Sequence, residues 1–152
     1  MKLPSLIDDE ECLVRIIKVP SHCDEKKKLL KTAAFKPKVG TSATSVVRQK
    51  MGDDFCKQKA MNMPNYVGLA VLRASTVRRL ECEVYNKPED YIGHAEIDFG
   101  FSRPLPDTPE SVEVLDRLND LCRSLAKSAQ MFKDSCPNVV GWRDGDLCPP
   151  GN

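Results

Sequence analysis

Polar and charged residues stand inside short, strand-like apolar runs: Arg15 in Leu13-Val14-Arg15-Ile16-Ile17, Ser45 and Arg48 around Val46-Val47, and His94 between Tyr91 and Ile97. No other feature constrains the fold as much. Burying a charge without a partner costs several kcal/mol or forces the group to neutralise, so each of these side chains must be solvated, paired or used.

The 152 residues suffice for one domain with a real core. A 41% hydrophobic, 30% charged composition places the chain among ordinary globular proteins. The 23 basic residues nearly balance the 22 acidic ones, leaving a net charge of +1, so no global field draws the chain to nucleic acid or an acidic membrane. A local basic stretch, Lys26-Lys27-Lys28 with Lys31, Lys36 and Lys38, has Asp24 and Glu25 beside it and only Phe35 for an aromatic, so nucleic-acid binding is not expected. No apolar run approaches the roughly 20 residues needed to span a bilayer, and the start MKLPSLIDDEE turns acidic too early for an export signal. A cytoplasmic location is the expectation.

Cysteines fall at 12, 23, 56, 82, 122, 136 and 148, with no C-x-x-C pair. Their odd number predicts reduced thiols, with Cys12, Cys82 and Cys122 in the core and Cys136 and Cys148 exposed in a proline-rich tail. The glycine loops that cradle nucleotides, the G-x-S-x-G elbow and H-E-x-x-H are all missing. No metal or cofactor is expected.

Apolar patterning organises the chain into a flexible lead-in at 1–11, a single globular domain at 12–135 and an irregular tail at 136–152. Strands are predicted at Leu13–Val19, Thr44–Gln49, Tyr66–Leu72, Glu83–Tyr85 and Ile92–Phe99. Short helices are predicted from Asp24 to Lys31 and from an Asp53 or Asp54 cap to Met61, with a helical turn at Ser75-Thr76. A long helix from Pro109 to Lys133, capped by Thr108, carries the stripe Val112, Leu115, Leu118, Leu121, Leu125, Ala129 and Phe132. These elements predict an α+β or α/β fold, a single domain with a mixed or antiparallel sheet of about four or five strands and a long C-terminal helix packed on it.

Strand alternation puts His94, Glu96 and Asp98 in one polar row and Ala95, Ile97 and Phe99 on the core face. The plain reading of that row is a solvated sheet face; the functional reading adds Arg15, Ser45, Arg48, His94 and Glu96 as candidate site residues. Arg15 is expected either to bind an anion in a cleft, to pair with a carboxylate such as Glu83 or Glu96, or to snorkel from a sheet edge. If these residues serve one site, Arg15, Ser45 and His94 converge in one pocket. Placement on opposite sheet faces argues against an enzyme.

The ordered set Leu13-Val14-Arg15, Ala33-Ala34-Phe35-Lys36-Pro37, Ser45-Val46 and His94-Ala95-Glu96-Ile97 resembles a group of small uncharacterised bacterial proteins. The likeness spans about residues 12 to 100 and implies a cytosolic α/β protein, with no activity to carry over. The leading expectation is a non-catalytic interaction module or accessory subunit of a larger bacterial system. It would dock another protein of that system through Leu115, Leu118, Leu121 and Leu125. The alternative is a small enzyme or nucleotide-binding protein with its cleft at Arg15, Ser45, Arg48 and His94, of which an ADP-ribosyltransferase-like arrangement is one form.

Overall fold

The β-branched runs pair into one antiparallel sheet in the computed structural model, which describes residues 3–27 and 29–150. Lys28 of the basic stretch lies outside the described residues. The strands are β1 (Cys12–Lys18), β2 (Cys23–Asp24), β3 (Leu29–Leu30), β4 (Ala43–Arg48), β5 (Tyr66–Arg73), β6 (Glu83–Asn86), β7 (His94–Asp98) and β8 (Gln130–Lys133). The helices are α1 (Asp53–Ala60), α2 (Ala74–Arg79) and α3 (Ser111–Ser128). Six strands form the main sheet in the order β6-β7-β4-β1-β5-β8, while β2 and β3 pair separately, giving a single α+β domain.

The two sheet faces carry separate cores. On one, Leu13, Ile17, Val46, Ala70, Leu72 and Ile97 pack against Leu118 and Leu125 of α3, Val77 of α2, and Phe35 from a short 3-10 turn at Thr32–Phe35. On the other, Val14, Ile16, Val47, Leu69 and Val71 meet Cys56 and Ala60 of α1 and Leu147 of the tail. Strand β5 is covered on both sides because of this layering, although only β8 separates it from the sheet edge.

Several expectations are corrected. In place of a helix from Asp24 to Lys31, β2 and β3 pair antiparallel at Cys23↔Leu30 and Asp24↔Leu29, with the Asp24 carboxylate accepting from the amides of Lys26 and Lys27. An Asx turn competes with helix here. The long helix starts at Ser111, whose hydroxyl donates to the Thr108 carbonyl at 2.7 Å, so Thr108 is not its cap. It ends at Ser128, and residues 130–133 leave it to pair with β5. Over so few residues, three- and four-residue steps cannot be told from strand alternation. The edge of β5 takes Met131 and Phe132 into its ladder instead.

Residues 4–11 and the segment at 142–148 make contacts with the sheet and α1. Ile7 is 4% exposed and belongs to the first core. Arg48 is fully buried and donates to the Glu11 carboxylate, with Nη2 to Oε1 at 2.8 Å, and to the Pro4 carbonyl at 2.7 Å. Cys12 is not a free thiol: it forms a disulfide with Cys148, which closes the tail over β1. Cys23, Cys56, Cys82 and Cys122 are buried free thiols, and burial pushes Cys56 and Cys122 up to about 12. Among the described residues no helix is long and apolar enough to cross a membrane.

Candidate functional site

The site begins where a ladder stops. β1 and β4 pair only at Leu13↔Arg48 and Val14↔Val47, and beyond Val14 the two strands have no further partners in register. Arg15 reaches across this gap, donating from Nε to the Ala34 carbonyl at 2.8 Å and from Nη1 to the Ser45 carbonyl at 3.0 Å. Its expected carboxylate is absent. Glu83 is engaged by Arg78 at 2.9 Å, and among the described residues no acid lies within 4 Å of Arg15. Burial pushes the guanidinium down to about 10 from an ordinary 12.5.

Ser45 and His94 meet on the second face of the sheet. The antiparallel register sets Val47 opposite His94 and Ser45 opposite Glu96. The Ser45 side chain is exposed, and its Oγ lies 3.2 Å from Nε2 of His94. His94 itself is only 5% exposed, which overturns the solvated-face reading at this position. The Tyr91 ring packs on it at 5.2 Å between centroids.

The loop before β7 fixes the imidazole. The Lys87 amide donates to the His94 carbonyl at 2.9 Å, while the Lys87 carbonyl lies 3.0 Å from Nδ1 of the ring. A carbonyl can only accept, so Nδ1 carries a proton, and in that tautomer Nε2 is the acceptor for the Ser45 hydroxyl. The Asp90 carboxylate stands 3.4 Å from the same Nδ1.

Arg15, Ser45 and His94 thus line one cleft of about 350 Å³, with Lys18, Lys38 and Asp90. It adjoins a groove of about 580 Å³ that shares Arg15, Lys38 and Ser45 and adds Lys36, Lys87, Glu96 and Asp98. By alternation Arg15 belongs with Leu13 and Ile17 on the α3 side, the face opposite Ser45 and His94, which argues against an enzyme that uses all three; it reaches the cleft only because the ladder is open there. Arg48 does not join. Its carboxylate partner Glu11 makes it a buried structural pair.

Asp90 and Lys87 escaped the sequence reading, since a loop residue four before His94 signals nothing until the loop folds back. Of the helical candidates, Leu118 and Leu125 are buried in the protein's own core, while Leu115 and Leu121 are half-buried. Among the described residues no cluster of three or more His, Cys, Asp or Glu is placed to hold a metal. Comparison with protein-family models, curated proteins and solved structures found no match.

Proposed function

We propose that the chain binds a small phosphate-bearing ligand of the nucleotide class in the groove between β1 and β4. The observation that supports this reading is Arg15, a desolvated guanidinium oriented by two carbonyls and, among the described residues, with no carboxylate within 4 Å. An anion completes such a group, and Lys36, Lys38 and Lys87 line the same groove. Glu96 and Asp98, which also line it, suit the hydroxyls of a sugar better than a phosphate.

The test is titration of the labelled protein with pyrophosphate and ADP at low salt, followed by NMR. Shifts confined to Arg15, Ser45 and the groove residues Lys36, Lys38 and Lys87, with affinity weakened at least tenfold in Arg15→Met, support the reading. Shifts elsewhere, or none at millimolar ligand, sink it.

The accessory-subunit reading keeps one favourable observation: Val112, 60% exposed, sits one turn from half-buried Leu115 at the start of α3. Its partner would be another protein of the same bacterial system. A cytoplasmic location is part of either proposal. The buried free thiols suit it, and the Cys12–Cys148 disulfide does not.

A further inference from the structure

We propose that Ser45 is a nucleophile activated by His94, with the Lys87 carbonyl and Asp90 holding the imidazole, and that the cleft hydrolyses carboxylic esters carrying an anionic group. The nucleophile stands on its own geometry, whereas the preference for an anionic ester rests on the ligand reading above.

The argument runs through three atoms. The hydroxyl is exposed at the cleft and lies 3.2 Å from Nε2, within the range expected of a nucleophile and its base. The base is in the right tautomer, because the Lys87 carbonyl at 3.0 Å compels the proton onto Nδ1. Asp90, at 3.4 Å from Nδ1, supplies the negative charge that steadies an imidazolium. This arrangement of roles does not depend on a G-x-S-x-G elbow, since such relays are defined by geometry and not by sequence order.

In the reaction, Oγ attacks the ester carbonyl carbon as its proton passes to Nε2. The carbon–oxygen bond to the alcohol then breaks, and Nε2 returns the proton to the leaving oxygen, giving a free alcohol and an acyl group on Ser45. Water attacks that acyl group, delivering one proton to Nε2, and the acid leaves as Ser45 recovers its proton. Ester and water give acid and alcohol, with no other reactant. The negative charge on the tetrahedral oxygen develops in a cleft lined by Arg15, Lys18 and Lys38.

The experiment treats the full chain with a fluorophosphonate probe and maps the adduct by mass spectrometry. Expected are an adduct on Ser45, its loss in Ser45→Ala, and labelling slowed at least tenfold in His94→Gln. Unchanged thermal melting would show that both variants fold. Should His94→Gln unfold, Ser45→Cys provides the second readout: its thiol should alkylate with iodoacetamide at least tenfold faster than that of Cys136. Labelling of Ser45 no faster than of Ser102, or at an undiminished rate in a folded His94→Gln, overturns the nucleophile. Turnover of 4-nitrophenyl hemisuccinate is then compared with that of neutral 4-nitrophenyl acetate. A tenfold preference for the hemisuccinate is expected. Labelling without preference discards the anionic substrate alone, and pyrophosphate binding with an inert Ser45 discards the nucleophile alone.

Discussion

His22 shows how one side chain writes a pH dependence into the fold. It is 9% exposed, and its Nδ1 accepts the Lys18 amide at 3.2 Å, so the ring is neutral. Burial first, then the nearby charges of Arg15 and Lys18, push the imidazole down to about 4 from 6.5. Between those values the unfolded chain takes up a proton that the folded chain refuses. Stability is therefore whole above about pH 6.5 and falls as the pH drops toward 4, by on the order of 1–3 kcal/mol. Urea melts from pH 7 to 4 should show this slope in the native protein and a flatter one in His22→Gln. Equal slopes would refute it. Gly93 is a second single-residue constraint. It holds φ +99° directly before His94, and a Cβ there would lie 2.5 Å from Cγ of Met51. Gly93→Ala is expected to cost about 1–3 kcal/mol. Adding Met51→Ala should relieve only the collision, which a double-mutant cycle in denaturant would measure.

At the scale of elements, α3 is a lid on the sheet more than a surface for others. Leu118 and Leu125 are 0% exposed and lie among Ile17, Phe35, Val46 and Ile97. Leu118→Ala should cost about 2–5 kcal/mol by lost burial and the cavity left behind. A cost under ~1 kcal/mol in equilibrium unfolding would mean that this helix is not the cover of the core. The strands β1, β4, β5 and β7 were legible in the sequence because β-branched runs bounded by proline and glycine have few other uses. β8 was not, since four residues following a helical stripe satisfy both periods. The site was half legible. Arg15, Ser45 and His94 stood out as polar residues in apolar runs, and they do share a cleft. The rule that such a charge must be paired was sound but landed on the wrong arginine: Arg48 holds Glu11, a residue assigned to the lead-in. His94 read as solvated because nothing local revealed that the Lys87–Gly93 loop and its Tyr91 ring would cover that face.

Across the whole molecule, the second sheet face is closed by the tail, and the contacts that close it come from far apart in the sequence. Asp54 accepts the Trp142 amide at 2.8 Å and Asp53 accepts the Leu147 amide at 3.2 Å, so the acids at the start of α1 grip the tail instead of capping their own helix from outside. A buried knot sits beside them. Lys57 and the Tyr66 hydroxyl both bond the Asp134 carboxylate, and Lys57 also donates to the Cys136 carbonyl at 2.9 Å. Burial opposes the charge on Asp134, but these donors outweigh it and hold the carboxyl below its ordinary 3.8. Its contribution to stability is present above that value and is lost as the pH falls through the lower, native one. The Cys12–Cys148 disulfide then ties the tail to the first strand across a sequence separation of 136 residues. Closing so long a loop restricts the unfolded chain far more than the folded one, and in the chain-entropy account contributes about 3–5 kcal/mol. Cys148→Ser should lower the free energy of unfolding by that amount in oxidising buffer, with Trp142 fluorescence reporting release of the tail. Reductant should bring the native protein down to the level of the variant and leave the variant unchanged. If reductant has no effect on the native protein, and thiol titration under denaturing, non-reducing conditions finds all seven cysteines free, the tail is held by its non-covalent contacts instead, through the α1 carboxylates, Lys57 and buried Leu147.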